Sequence, residues 1–241
     1  MKKKLTYLML AVSFLLLLGS AVGSTRAALT YYSENYVAEI TVSQIGVSLL
    51  ENGALVSSRD YQKNEWKVST NNGSASESGA LLANMLKEGE KLALNKKYDE
   101  KLTVKNSGSI DEYVRVRIYR YWMKDGQKVT TLSPDLIDLG LANTDRWVKN
   151  PNETAECMEL YYKGILKSGS ETEAFAESIR IDGNLASMAE VETKGNTITT
   201  TYAYDGVEFH VDVEVDAVQT HNAKDAIKSA WGVDASSLGI L

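Results

Sequence analysis

The chain has 241 residues, a formal charge of −6 and a single cysteine, Cys157. One cysteine cannot form an internal disulfide, which excludes a disulfide-stabilised scaffold, and the acidic charge argues against a nucleic-acid partner. Four basic and no acidic side chains lie in the first 27 residues, so residues 28–241 carry −10.

The N-terminus has the layout of a secretory leader. Three lysines at positions 2–4 precede a largely apolar run over residues 5–18, and small residues follow over residues 19–24. This order is typical of a signal peptide, and the run is shorter than the roughly 20 apolar residues of a membrane span. We therefore predict a signal peptide over residues 1–27, with an uncleaved N-terminal anchor as the alternative.

The predicted cut lies between Ala27 and Ala28. It leaves the small residues Thr25 and Ala27 before the cut bond, whereas a cut after Ala28 would put Arg26 where a small side chain is needed. The chain that starts at Ala28 has no further apolar tail. We therefore expect a secreted, extracellular protein that meets the membrane only through its uncleaved leader and meets a signal peptidase during export.

Strand patterns dominate the rest of the chain. Apolar residues recur at every second position in several segments, which predicts strands with one face in a core and one in water. These are Tyr36, Ala38, Ile40 and Val42; Ile45, Val47 and Leu49; Val114, Val116 and Ile118; and Val207, Phe209, Val211, Val213 and Val215. Shorter strands are predicted at 102–105, 158–163, 175–181 and 197–204. Many short strands favour a mainly β fold, an antiparallel sandwich forming a single domain over residues 28–241.

Helical signals are few. Ser133 followed by Pro134 predicts a short helix through residue 141, and Asn222 and Gly232 bracket a predicted C-terminal helix. The polar stretch over residues 57–79 predicts a long loop, and residues 80–94 form a candidate helix that Gly89 weakens. Together they predict a polar loop insertion near residues 57–94.

Catalytic motifs are missing from the sequence. There are two histidines, His210 and His221, and no HExxH, GxSxG or phosphate-binding loop. Asp135, Asp138 and Asp145 could meet around calcium, but their spacing does not match an EF-hand loop. We therefore predict no enzymatic activity, no cofactor and no metal site, and we interpret Cys157 as a buried thiol.

Aromatic residues offer a different interpretation of function. Trp122, Trp147, Tyr161 and Tyr162 could form a platform on which a sugar ring stacks, while in a sandwich such residues more often fill the core or cover an open face. This leaves a secreted carbohydrate-binding or adhesive β-sandwich module as the alternative function.

Four segments, taken in order, resemble the TasA/camelysin family of exported proteins from Gram-positive bacteria. They are "STRAALTYYSENYVAEITVSQIGVSLLENG", "YDEKLTVKNSGSIDEYVRVRI", "ILKSGSETEAFAESIRID" and "VEVDAVQTHNAKDAIKSAWGVD". In the second segment the family's strand–turn–strand unit falls on Asn106, Gly108, Val114 and Val116. In the first, Tyr32-Ser33-Glu34 stands where the family usually has Phe-x-Asp.

The resemblance implies a jelly-roll-like β-sandwich with a structural role in a biofilm matrix. It implies a fibre subunit whose freed N-terminus adds a strand to the next copy, with Leu29, Tyr31, Tyr32, Tyr36 and Val37 as donor-strand candidates. The implied partner is the chain itself or a homologous matrix protein. Some camelysin-like proteins carry a protease label, which no motif of this chain supports. A major fibre subunit, a minor adaptor and a soluble ligand all fit these features.

Overall fold

Two antiparallel sheets build the fold in a computed structural model that describes residues 44–62, 65–72, 79–151, 153–194 and 197–241. The first, sheet A, contains six strands in the spatial order β3-β2-β1-β4-β10-β7. Their bounds are β1 Gly46–Glu51, β2 Ala54–Gln62, β3 Glu65–Thr70, β4 Tyr98–Asn106, β7 Ile137–Leu141 and β10 Ala176–Ile181.

Sheet B is smaller and lies against sheet A. Its order is β13-β5-β9-β8, and β6 pairs with the end of β5. The strands are β5 Glu112–Lys124, β6 Gln127–Val129, β8 Trp147–Lys149, β9 Cys157–Tyr162 and β13 Glu208–Gln219. A separate hairpin pairs β11 (Ala189–Lys194) with β12 (Thr197–Tyr202).

The core lies between the two sheets. In β5, Val114, Val116 and Ile118 are buried and face this core, as their alternation with polar residues predicts. From β4 onwards the chain repeatedly crosses from one sheet to the other, so consecutive strands bury apolar residues in the same shared interior. The predicted mainly β, antiparallel sandwich is confirmed.

A second apolar cluster covers the outer face of sheet B. Helix α1 (Ala223–Trp231) and the C-terminal tail contribute Ile227, Trp231 and Ile240 to this cluster. They pack against Tyr113 and Tyr161, the outward-facing aromatic residues of β5 and β9. The predicted C-terminal helix is therefore present, and Gly232 ends it in a left-handed conformation at φ 73°.

Two segments differ from the predictions. Residues 57–79, expected as a loop, contribute most of β2 and all of β3. These strands form by backbone pairing of β2 with β1 and of β3 with β2, even though Ser57, Ser58 and Arg59 show no apolar alternation. Residues 80–94, a candidate helix, form irregular turns instead. Leu82 and Gly89 there adopt positive φ angles of 61° and 75°, which a helix cannot accommodate.

The remaining helical expectation is met in part. Pro134–Leu136 forms a single 3-10 turn in which the Ser133 hydroxyl accepts from the Asp135 N–H at 3.2 Å, but Ile137–Leu141 continues as strand β7. None of the helices in the described ranges is long and apolar enough to cross a membrane.

Candidate functional site

Strand β13 forms one edge of sheet B. Among the described strands it pairs only with β5, in an unbroken register from Glu208 opposite Met123 to Gln219 opposite Glu112. The main-chain groups on its other side have no partner strand in the described part of the chain. An unpaired edge of this kind is a template for a further strand.

Hydrogen bonds on the far side of β5 identify which groups of β13 are free. The N–H of Glu112 donates to Leu166 O at 3.0 Å and that of Arg120 donates to Glu156 O at 2.8 Å, so even-numbered residues of β5 point away from β13. The odd-numbered residues of β5 therefore bond to β13, and the register places them opposite even-numbered residues. The free N–H and C=O groups consequently belong to the odd-numbered residues of β13: Phe209, Val211, Val213, Val215 and Ala217.

Sheet A extends beyond this edge. β1 lies against β13, and β2 and β3 follow β1 in the strand order of sheet A. Val47, Arg59 and Val68 share the inward face of these three strands, since Val47 lies opposite Arg59 and Arg59 lies opposite Val68. Tyr61 and Trp66 follow on the same face. Trp66 is 51% exposed, so this inner face ends in an aromatic residue that the described chain leaves uncovered.

A groove of mixed polarity lies between the β13 edge and this inner face. Its volume is about 430 Å³, charged and hydroxyl side chains contribute to its lining, and aliphatic side chains lie on both of its walls. They are Val47, Leu49, Val56, Val68 and Leu81 from the side of sheet A, and Val211, Val213 and Val215 from β13. Val213 and Val215 are only half-buried. A strand added to β13 would bury them and complete sheet B opposite β1–β3.

The charged groups around the groove differ in how they are paired. On the outer face of sheet B, Arg117 forms ion pairs with Glu214 at 2.7 Å and with Asp216 at 3.3 Å. Arg59, on the inner face of sheet A, instead stacks over the Trp66 ring, with its Cζ 4.9 Å from the centroid. Within the described residues its guanidinium has no carboxylate partner.

The loop between β4 and β5 holds the start of β1. Asn106 donates to Ile110 O at 2.8 Å and to Leu166 O at 3.1 Å, and it accepts from Gly108 N at 2.9 Å. The N–H groups of Ser107 and Gly108 in turn donate to Gly46 O. A Cβ on Gly108 would collide with the backbone of Gln44 and Gly46. The predicted motif residues Asn106 and Gly108 thus form the anchor for the residues that follow the N-terminal segment.

A buried carboxyl group completes this anchor. Glu112 is fully buried and its Oε1 accepts from Gly46 N at 2.9 Å, while Oε2 has no hydrogen-bond partner in the described chain. Burial raises the pKa of Glu112 to about 7, against the lowering effect of the Gly46 N–H, and the nearby Asp60 raises it further. Protonation of this group therefore changes near neutral pH.

A polar cavity of about 440 Å³ lies at the opposite side of the sandwich. Its charged groups are already paired: Arg120 contacts Asp135 at 3.1 Å, Lys149 contacts Glu153 at 2.5 Å, and Asp138 contacts Arg180 at 2.6 Å. In the described ranges no three His, Cys, Asp or Glu side chains gather as metal ligands would. The geometry therefore gives the calcium interpretation of Asp135 and Asp138 no support.

The proposed sugar platform is wrong for the residues named. Trp122 and Trp147 are each 3% exposed, and Tyr161 and Tyr162 are also buried. Trp122 and Trp147 donate to the carbonyls of Ser133 and Glu173 at 2.9 Å, so their indole N–H groups are used inside the fold. The exposed tryptophan is Trp66, and the alternation of Trp66, Val68 and Thr70 in "EWKVST" was the signal that could have identified it.

Two residues considered as catalytic candidates, His210 and Cys157, line neither the groove nor the cavity. His210 stacks on Tyr121 with 5.2 Å between ring centroids, on the outer face of sheet B. Cys157 is half-buried, and burial raises the pKa of its thiol, which leaves it less reactive as a nucleophile. No catalytic arrangement is built around either residue in the described chain.

Some of the predicted site residues lie within the described part of the chain and others lie outside it. Val114 and Val116 lie in the core and Asn106 and Gly108 lie in the anchor loop. The cleavage residues Ala27 and Ala28 and the donor-strand candidates lie outside the described residues; the latter are Leu29, Tyr31, Tyr32, Tyr36 and Val37.

No protein-family model, curated protein or solved structure matches this chain. The resemblance to the TasA/camelysin family therefore remains a prediction that rests on the four quoted segments.

Proposed function

We propose that this chain is an exported structural protein of an extracellular matrix, whose N-terminal segment, residues 28–43, adds a strand to a second copy. The observation that carries the proposal is the edge of β13, which has no partner strand on one side in the described chain and borders, with the inner face of β1–β3, a groove partly lined by aliphatic side chains. The TasA/camelysin resemblance points to the same mode of assembly.

The composition of the N-terminal segment suits this groove. Tyr36, Ala38, Ile40 and Val42 recur at every second position, and Glu39 and Thr41 stand between the last three of them. One face of an extended segment would therefore be apolar and could pack on the valines of the groove. Sixteen residues extend to about 50 Å, and the twelve residues of β13 extend to about 40 Å. One segment can therefore span the whole edge.

The polarity of the strands favours a neighbour over the chain itself. β13 ends opposite Glu112, which contacts Gly46, so β13 runs towards the end of the sandwich at which β1 begins. A segment that entered its own groove in extended form would run towards Gly46 as well and would lie parallel to β13. A second copy can bring the segment in antiparallel, the arrangement of the rest of sheet B, which is slightly more stable per residue.

Assembly is tested by a proline placed at the free edge. Val213→Pro removes an N–H that points away from β5, so pairing within the subunit survives while an incoming strand loses a hydrogen bond and meets the ring. We expect the exported Val213→Pro protein to stay folded by circular dichroism and to form at least tenfold fewer filaments by electron microscopy.

Two controls separate edge pairing from other effects. Val213→Ala removes the side chain but keeps the N–H, so we expect it to assemble better than Val213→Pro. Glu214→Pro removes an N–H bonded to β5 and should destabilise the subunit itself. Filaments of normal abundance from folded Val213→Pro protein, or from a chain lacking residues 28–37, would contradict the proposal. Mass spectrometry of the exported chain reports whether it begins at Ala28.

A second candidate function is a carbohydrate-binding or adhesive module. It is favoured by one observation, the exposed ring of Trp66 beside Tyr61 with 5.1 Å between their centroids. Aromatic faces of this kind can stack on sugar rings. A glycan array probed with the Val213→Pro protein, which keeps Trp66 uncovered, tests this function without competition from assembly.

A further inference from the structure

Arg59 is an unusual residue for its position. It occupies an inward-facing site of β2, directly opposite the aliphatic residues Val47 and Val68, in a groove that Ser57 also lines. Its one described side-chain contact is with the Trp66 ring at 4.9 Å. A strand laid into the groove would cover this guanidinium, and a covered cation needs an anionic partner because its desolvation is costly.

The N-terminal segment carries one acid on the face that would enter the groove. In an extended strand every second residue shares a face, so Glu34 lies with Tyr36, Ala38, Ile40 and Val42, whereas Glu39 lies on the opposite face. If the apolar set packs on the valines, the Glu34 carboxylate also points into the groove. It is the only charged side chain of residues 28–43 that does so.

The position of Arg59 distinguishes a neighbour's strand from the chain's own. Arg59 pairs with Val47, and the N–H of Tyr61 donates to Ile45 O at 2.9 Å, so both residues lie at the end where β1 begins. An extended segment in its own groove would have Val42 at this end and Glu34 about 26 Å away. An antiparallel segment from a second copy would bring its N-terminal half, which contains Glu34, to the Arg59 end, and its register could then set Glu34 beside Arg59.

We infer that Arg59 selects the incoming strand and sets its register by pairing with Glu34 of a second copy. The inference rests on the proposed function, since it names the contact that aligns the donor strand. A one-residue slip would turn Glu34 to solvent and its apolar neighbours with it, so the ion pair and the apolar face specify the same register. Arginine suits this role because its planar guanidinium can pair with a carboxylate through two hydrogen bonds while stacked on an aromatic ring.

The test is a charge exchange between two variants. Arg59→Glu and Glu34→Arg are made separately in the full chain and exported. Each alone presents like charges at the contact, and we expect each to form at least tenfold fewer filaments than the unchanged chain. Mixed in equal amounts, the two variants present opposite charges at every junction, so filament formation should recover, with the two chains alternating along each filament.

The controls use charges on the opposite faces of the same strands. Lys67→Glu lies between Trp66 and Val68 on the exposed face of β3, and Glu39→Arg lies on the polar face of the donor; neither should change assembly by more than about twofold. Arg59→Gln removes the charge without introducing repulsion and should give an intermediate loss. All variants are first compared by circular dichroism and thermal unfolding, which Arg59, being exposed, should leave unchanged.

The outcomes separate the two proposals. Normal filaments from both single variants, while Val213→Pro forms none, would overturn the Arg59–Glu34 contact and leave strand addition in place. Loss in both single variants without recovery in the mixture would also overturn the contact. Normal filaments from all of these variants, including Val213→Pro, would overturn strand addition itself.

Discussion

Of two aromatic surfaces of this protein, one is buried and the other is exposed. On the outer face of sheet B, Trp231 is 8% exposed because helix α1 and the C-terminal tail bring it onto Tyr161, with 5.6 Å between ring centroids. On the inner face of sheet A, Trp66 is 51% exposed, and its ring contacts Tyr61 and Arg59 of its own hairpin. Both surfaces belong to sheets with an apolar face to bury.

The difference between the two surfaces lies in what covers them. The outer face of sheet B is completed by the chain's own C-terminus, so its burial contributes to the stability of a single subunit. The groove beside β13 is formed by the same kinds of side chain, but the described residues leave it open. Burial there is available for a contact with a second molecule, which is why we assign stability to the first surface and assembly to the second.

The largest expected effect concerns Trp231. Replacing it with alanine removes a buried indole that packs on Tyr161 and lies under the Arg115 guanidinium at 5.5 Å. We expect Trp231→Ala to lower the free energy of unfolding by about 3–5 kcal/mol, measured by chemical denaturation of unassembled protein. Ser229→Ala, on the exposed side of α1, is the matched control and should stay within about 0.5 kcal/mol. If Trp231→Ala changed the free energy of unfolding as little as Ser229→Ala does, the packing of α1 would not stabilise the subunit.

The sequence predicted the first surface better than the second. Strict alternation identified the cores of β5 and β13, and Asn222 and Gly232 bracketed α1, because each of these signals is local. The β2–β3 hairpin has polar residues on both faces, such as Arg59 on the inner face and Lys67 on the outer face, so its strands could not be recognised without knowing that β2 pairs with β1.

The groove itself depends on how the two sheets are aligned. No local pattern states that sheet A extends past β13, since this follows from the pairing order of strands far apart in sequence. The burial of Trp122 and Trp147 agrees with the interpretation that aromatic residues in a sandwich more often fill the core, but the sequence left the sugar platform open because an aromatic residue at a strand position is compatible with both. Glu112 could be read only as a polar residue before a strand, although its carboxyl group is buried.

A second prediction uses pH to separate the two regions. The folded-state pKa of Glu112, about 7, lies above its ordinary value of 4.5. As the pH rises, the Glu112 carboxyl group loses its proton in the unfolded chain at a lower pH than in the folded chain. The contribution of Glu112 to the free energy of unfolding is therefore fully present below about pH 4.5 and is lost as the pH rises through 7. We expect the chain to lose on the order of 1–3 kcal/mol over this interval, and Glu112→Gln to lose correspondingly less.

Hydrogen exchange locates this effect. The amide of Gly46, which donates to Glu112, should exchange faster as the pH passes 7 after correction for intrinsic rates, while the amides of α1 should not change. Burial also raises the pKa of Glu51 and of Glu100, which contribute in the same direction. The difference between the unchanged chain and Glu112→Gln isolates the one carboxyl group. A pH profile unaltered by the substitution would place the titration elsewhere.

The smallest expected effect concerns Trp66. Because the other three tryptophans, Trp122, Trp147 and Trp231, are buried, a change in tryptophan fluorescence during assembly reports on Trp66. Strand addition should move it out of water, so the emission maximum should shift to shorter wavelength by several nanometres as filaments form. Trp66→Phe should remove the shift while changing the stability of the unassembled chain by less than about 1 kcal/mol. An emission shift that persists in Trp66→Phe would mean that assembly rearranges a buried tryptophan. An emission shift produced by glycans without filaments would favour the adhesive function, because the Trp66 ring would then be covered by a sugar rather than by a strand.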